Sequence, residues 1–211
     1  MSTHRQSVSW IAPPGPIAPG LRIGLLGGSF NPPHDGHLHA SLLALKRLEL
    51  DYVWWLVSPQ NPLKPAAGMA GLRERLARAA QMTRNRRIIV TAIEAELGTV
   101  YTADTLAALM RRFPAIHFVW VMGSDNLVQI SHWHRWWKIF DSVPVAVVAR
   151  PGTALAARFA TAAQRFGFAL QAPGPRFALR SPPAWTVLEA RRNPASATVL
   201  RAHTELPQPY V

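Results

Sequence analysis

Short apolar runs rich in β-branched and aromatic residues recur along the chain at 21–26, 52–57, 87–93, 116–122 and 145–149, and another candidate lies at 185–188 after Ser181-Pro182-Pro183. Runs of this length between Gly, Pro, Asn and Asp read as strands. Between them the apolar spacing lengthens to three or four residues. Leu38, Leu42, Leu45 and Leu48 fall on one helical stripe, and 73–83, 103–112 and 155–164 carry helical patterns of their own. Strands alternating with helices predict a parallel sheet with crossover helices on its faces, an α/β, Rossmann-like doubly wound fold. Residues 1–20 hold Pro13-Pro14-Gly15-Pro16 and Pro19-Gly20, which resist regular structure, so a flexible Pro-rich leader is expected there and a single domain over 21–211.

The polar clusters sit where such a fold places its ligands. Gly27-Gly28-Ser29-Phe30-Asn31-Pro32-Pro33-His34-Asp35-Gly36-His37 follows the first predicted strand, Ser58 to Lys64 the second, Gly123-Ser124-Asp125-Asn126 the fourth, Ala149-Arg150-Pro151-Gly152 the fifth, and Arg192 to Arg201 the last candidate. In a parallel sheet these positions share the carboxyl edge, where open α/β sheets bind ligands.

The first cluster is the richest. Gly27 and Gly28 suit a tight turn whose N–H groups approach a ligand, and the helix beginning near Gly36 or His37 turns its positive end toward an anion. A phosphate fits there, yet the spacing matches neither the G-x-G-x-x-G dinucleotide turn nor the P-loop, which closes with Lys. His34 and His37, three residues apart across the helix start, can both face one phosphate and donate N–H bonds as charge develops. Two other readings stay open: a metal site built on His34, His37 and His39 with Asp35, and purely structural histidines.

Composition narrows the choice only modestly. The chain has 211 residues, no cysteine, and 23 basic against 11 acidic side chains, a net charge of +12. No thiolate metal site or disulfide can form, and a reducing, cytoplasmic setting is the default expectation. No apolar run reaches the roughly 18 residues of a membrane span, so no membrane association is expected. The positive charge favours anionic partners such as nucleotides. The arginines are scattered along the chain, which speaks against a dedicated nucleic-acid surface.

His34-Asp35-Gly36-His37 and the distal Ser196-Ala197-Thr198-Val199-Leu200-Arg201 together form the H-x-G-H and S-x-T-x-x-R pair of the nucleotidylyltransferase superfamily, which the chain resembles. Over roughly 23–201 it is similar to the bacterial nicotinate-nucleotide adenylyltransferases. The matching stretches are Gly27 to Pro32, Asn61-Pro62-Leu63-Lys64, Tyr101-Thr102-Ala103-Asp104-Thr105-Leu106, Gly123-Ser124-Asp125-Asn126-Leu127 with Trp133, and Arg150-Pro151-Gly152. The resemblance implies the fold of that superfamily and transfer of the adenylyl group of ATP to nicotinate mononucleotide, releasing pyrophosphate, in NAD biosynthesis. The other readings are a different acceptor, nicotinamide mononucleotide or phosphopantetheine, and a non-catalytic nucleotide- or RNA-binding protein on the same fold.

Residue by residue, the resemblance makes His34, His37 and Arg201 catalytic. It assigns ATP to Gly27, Gly28, Ser29, Phe30, His34, His37, Gly123, Asp125, Arg150, Ser196, Thr198 and Arg201, and nicotinate mononucleotide to Asn31, Lys64, Thr102 and Trp133. It implies Mg²⁺ carried mainly by the ATP phosphates, with no protein metal site, and leaves a homo-oligomer open. Trp136 and Trp137 compete with Trp133 as the platform for the pyridine ring, and Thr102, Ser124 and Asp125 also suit helix starts. Ser29 and Asn31 stand where Thr and Asp are commoner in the family, and Ala197 where a second Ser is.

Overall fold

The computed structural model describes residues 13–59, 68–150 and 152–189. Its sheet contains β1 (Arg22–Gly28), β2 (Tyr52–Val57), β3 (Ile88–Thr91), β4 (His117–Gly123), β5 (Val145–Val148) and β6 (Trp185–Leu188). They lie in the order β3-β2-β1-β4-β5-β6, and every neighbouring pair is parallel. All the strands read from the sequence are present, including the candidate at 185–188. The helices are α1 (Asp35–Arg47), α2 (Leu72–Met82), α3 (Ile93–Leu97), α4 (Thr102–Arg112), α5 (Ser124–Gln129), α6 (Trp137–Ser142), α7 (Ala154–Arg158) and α8 (Thr161–Arg165).

Adjacent strand residues feed opposite faces, as the pleat requires. Trp54 packs with Leu106, Leu109, Phe113 and Phe140 on the face covered by α4 and α6, whereas Trp55 packs with Ala44, Leu45 and Leu48 on the α1 face. Both faces are therefore buried, which explains why the strands read as continuous apolar runs rather than alternating ones.

Several sequence expectations shift. The stripe Leu38, Leu42, Leu45, Leu48 describes the buried face of α1 only in part: Leu38, Leu45 and Leu48 pack on the core, but Leu42 is 42% exposed, and Ala40, Ser41 and Ala44 also lie inside. Small residues are needed there because the helix lies close on the sheet, where Ser41 accepts a 2.7 Å bond from the Trp55 indole N–H and donates to His37 O at 2.9 Å. The strand expected over 87–93 stops at Thr91, whose hydroxyl accepts the Ile93 N–H at 3.1 Å, and Ile93 opens α3. The helix expected over 155–164 divides into α7 and α8 around extended Ala160. That break buries Ala157, Ala160, Ala162 and Ala163 together and leaves Phe159 70% exposed. Of the Pro-rich leader, residues 13–20 are described; Gly20 N donates to Ala115 O at 2.8 Å, and Gly15 lies against Ile89 and Trp54.

Candidate active site

Strand order fixes where the site lies. From β1 the chain winds one way to β2 and β3, and β4, β5 and β6 fill the other side, so the switch point falls between β1 and β4. A crevice opens at such a point beyond the strand ends. The Gly27-to-His37 segment leaves β1 there, and Gly123-Ser124-Asp125 leaves β4 beside it.

Gly27 and Gly28 are not the tight turn itself. Both are strand residues, in register with Leu56 and Val57. Gly27 is required for packing, since a Cβ there would stand 2.5 Å from Cη2 of Trp120. The left-handed residue is Phe30, at φ 48°. Its ring is wedged between Trp55, at 5.0 Å between centroids, and His37, at 4.5 Å. This buried packing compensates an unfavourable backbone conformation and gives His37 an apolar floor. Phe30 thus lies under the site.

His34 is the N-cap of α1 and is 4% exposed. Its Nδ1 accepts from Gly36 N at 3.1 Å, while His37 Nδ1 accepts from His34 N at 3.2 Å. The two rings lie 3.9 Å apart between centroids. A ring nitrogen that accepts a bond carries no proton, so each neutral imidazole keeps its proton on Nε2. His37 Nε2 stands 3.8 Å from where a Gly28 Cβ would be, directly over the end of β1. The histidines are thus held in the tautomer that donates through Nε2, and they also cap a 13-residue helix whose axis points at the same place.

Across the crevice, the ends of β4 and β5 are tied together. Ser124 Oγ accepts from Arg150 N at 2.9 Å and lies 2.6 Å from Thr153 Oγ1. Asp125 Oδ2 takes a 3.4 Å contact from Arg150 Nη1. Its Oδ1 is buried without a hydrogen-bond partner. Gly123 is again steric: a Cβ would fall 2.2 Å from Asp125 Oδ1 and 2.8 Å from Arg150 Nε. Ser124 opens α5, as its suitability for a helix start implied, and it is also a fastener between two strand ends, which the sequence did not suggest.

Thr102 is the first residue of α4, not its cap; the N-cap is Tyr101, whose side chain does not cap. The first turn therefore has no side-chain acceptor from its N-cap. Tyr101 stacks on His134 at 4.4 Å between centroids, which brings the start of α4 against the segment carrying Trp133. Of the three tryptophans, Trp136 is core, edge-on to Phe140 and Phe166, and Trp137 is 38% exposed at the start of α6. Trp133 is half-buried and packs partly against the core. Below α4, Glu94 is buried, accepts from Thr105 Oγ1 at 3.2 Å and hydrogen-bonds the Ser58 side chain; burial pushes its carboxyl up to about 7 against those two bonds.

Asn31 is turned toward the chain rather than into the crevice. Its Nδ2 donates to Gly68 O at 3.2 Å and its Oδ1 accepts from Ala70 N at 3.3 Å. Beside it lies Arg75, buried, with every nitrogen bound to main-chain carbonyls of the same region. Neither Arg75 nor Glu94 stands out in the sequence, because an Arg or Glu in a helical pattern reads as solvated surface. Lys64, Ser196, Thr198 and Arg201 lie outside the described residues. Among the described residues, no three His, Asp or Glu side chains converge in a way that could hold a metal, and no helix is long and apolar enough to cross a membrane.

A cytidylyltransferase-like family model matches residues 25–203. A probable nicotinate-nucleotide adenylyltransferase of Parvibaculum lavamentivorans is 61% identical over 147 residues, 70% of this chain and 73% of that protein. A probable nicotinate-nucleotide adenylyltransferase of Cereibacter sphaeroides is 52% identical over 182 residues, 85% of this chain and 96% of its own length. Among solved structures, the Plasmodium falciparum nicotinic acid mononucleotide adenylyltransferase complexed with NaAD is similar at a TM-score of 0.63 and 15% identity, covering 86% of this chain and 83% of that one. The fold agrees with the parallel sheet described above. The chain belongs to the cytidylyltransferase-like family and, within it, to the nicotinate-nucleotide adenylyltransferases.

Proposed function

We propose that this chain joins ATP and nicotinate mononucleotide into nicotinate adenine dinucleotide and pyrophosphate, a step of NAD synthesis. The observation that carries the reading is the reciprocally capped pair His34 and His37, each accepting a main-chain N–H at Nδ1, with His37 Nε2 close to the end of β1 at the switch point of the sheet. The names of the relatives point to the same reaction.

In this reading the triphosphate lies across the turn and the N-terminus of α1. The phosphate oxygen of the mononucleotide attacks the α-phosphorus in line, the bond from that phosphorus to the bridging oxygen of the β-phosphate breaks, and pyrophosphate leaves with the electron pair. No covalent enzyme intermediate and no general base is needed, because the attacking phosphate is already an anion. The protein's contribution is positioning and charge stabilisation. His34 and His37 donate to the oxygens of the crowded α-phosphorus. Gly28 and Ser29 offer main chain at close range, and Gly27 and Phe30 shape the turn from below. Asp125 Oδ1, buried and unpartnered, has the position and chemistry to accept a ribose hydroxyl, with Arg150 holding the carboxylate in place. By resemblance, Ser196, Thr198 and Arg201 hold the β- and γ-phosphates, where a planar guanidinium suits paired phosphate oxygens.

For the acceptor, the uncapped first turn of α4 at Thr102 suits the nicotinate carboxylate. Trp133, half-buried beside it, offers a ring face for the pyridine, a role closed to core-packed Trp136. Asn31 contributes by fixing the 68–70 segment, and Lys64 meets a phosphate by resemblance. The donors at the turn are N–H groups, which suit phosphate oxygens rather than a hard cation. The ATP phosphates, rather than these donors, would hold Mg²⁺, which would supply neutralisation of phosphate charge. Soluble nucleotide substrates fit a cytoplasmic enzyme.

The test follows the α-phosphorus. With ATP labelled at that atom and nicotinate mononucleotide present, the label should appear wholly in the dinucleotide, with none on acid-quenched protein. Label retained on the protein would contradict direct displacement.

A further inference from the structure

Arg75 is 1% exposed, and no carboxylate pairs with it among the described residues, whose ion pairs involve Arg22, Arg78 and Arg150. Burying a guanidinium without a counter-ion is costly unless its donors are satisfied, and here every nitrogen is. Nε donates to Ala70 O at 2.8 Å, Nη1 to Ser29 O at 2.6 Å and Ser58 O at 2.7 Å, and Nη2 to Pro59 O at 3.0 Å. A residue needed only for packing on α2 would be leucine or methionine. A charged fork aimed solely at carbonyls instead fixes main chain.

Those carbonyls belong to three stretches: the turn after β1, the exit from β2, and the approach to α2. Asn31 adds a second tie between the first and the third. Ser58 extends the connection. Its N–H donates to Gly28 O at 3.0 Å, and its side chain bonds Glu94. Glu94 in turn accepts from Thr105 in the opening turns of α4. One continuous buried path thus runs from the phosphate turn, through Arg75 and Ser58, to the helix start assigned above to the nicotinate carboxylate.

We propose that Arg75 is a positioning residue for adenylyl transfer, locking the exit of β2 against the phosphate turn and so fixing the spacing between the two substrate half-sites. This rests on the function proposed above. In-line attack is sensitive to that spacing, since a misplacement of about 1 Å can cost about 100-fold in rate. The side chain touches neither substrate. It acts through the main chain of Ser29 and Ser58, so its loss should fall on turnover more than on binding.

Arg75→Lys and Arg75→Met test this with two readouts. Lysine keeps the charge but cannot span three stretches of chain, so both variants should behave alike: turnover per folded molecule down about 100-fold, with KM for ATP and for nicotinate mononucleotide nearly unchanged. Hydrogen exchange should rise at residues 28–31 and 68–71 and stay unaltered in β4 and β5. Should Arg75→Met fail to fold, Arg75→Lys carries both readouts. Wild-type turnover per folded molecule in Arg75→Lys, or unaltered exchange at those two stretches, would overturn the proposal. Should the wild-type protein itself make no dinucleotide, the function reading fails, and the exchange pattern still decides whether Arg75 is the brace.

Discussion

At the scale of single residues, the site depends on which nitrogen of each imidazole holds the proton. The main-chain N–H groups of Gly36 and His34 occupy the two Nδ1 atoms, so in the proposed reaction the Nε2 donors need no change of tautomer. Replacing His37 with Ala removes one such donor and opens the reciprocal cap. We expect kcat to fall by about 10²- to 10³-fold, with a stability loss of about 1 kcal/mol, read by steady-state assay and thermal unfolding. Trp133→Ala should chiefly raise KM for the mononucleotide; an unchanged KM would move the stacking role to Trp137. These residues were legible from the sequence because H-x-G-H and the tryptophan sit in a recognisable order. Their capping bonds were not, since those depend on the extended backbone of His34. Arg75 was not legible either, because its partners are carbonyls, which no side-chain pattern reports.

At the scale of elements, the glycines have a packing role beside the ATP contact the resemblance implies. Gly27 and Gly123 each leave space for side chains of the protein itself: Trp120 in one case, Asp125 and Arg150 in the other. Gly27→Ala should destabilise the fold by about 1–3 kcal/mol, because the buried Trp120 ring must move, and a denaturant titration measures this directly. Gly123→Ala should leave stability closer to wild type, since Asp125 and Arg150 are partly exposed and can shift. It should instead raise KM for ATP through the displaced Asp125. Helix α1 was recognisable by period, and Leu38, Leu45 and Leu48 of its stripe pack on the core, whereas Leu42 faces outward. The closest approach to the sheet is shared by Ala40, Ser41 and Ala44, small residues whose role appears only once the sheet beneath them is known. Short helices such as α5 and α6 escaped because six residues hold less than two turns of periodicity.

At the scale of the whole molecule, alternation of strands and helices sufficed to predict a parallel sheet, and with it the convergence of the polar clusters on one edge. Strand order supplied what periodicity could not, placing the β1 and β4 exits side by side. Buried in that edge, Glu94 titrates near 7 instead of the ordinary 4.5. The folded state therefore holds a proton that the unfolded chain releases at lower pH. Stability should be greatest below about pH 4.5 as far as this group is concerned, then fall as pH rises through 7, by on the order of 3 kcal/mol in all. Glu94→Gln should flatten that part of the pH profile of Tm; an unchanged slope would mean that the carboxyl is ionised in the fold throughout.

Adenylylation of nicotinate mononucleotide by this chain is read from pyrophosphate release with Mg²⁺-ATP, with nicotinate mononucleotide, nicotinamide mononucleotide and phosphopantetheine offered as acceptors. Release should be rapid with the first and far slower with the other two, and the signal should be lost in His37→Ala. Equal or greater release with another acceptor, or none with nicotinate mononucleotide, would contradict the proposed function.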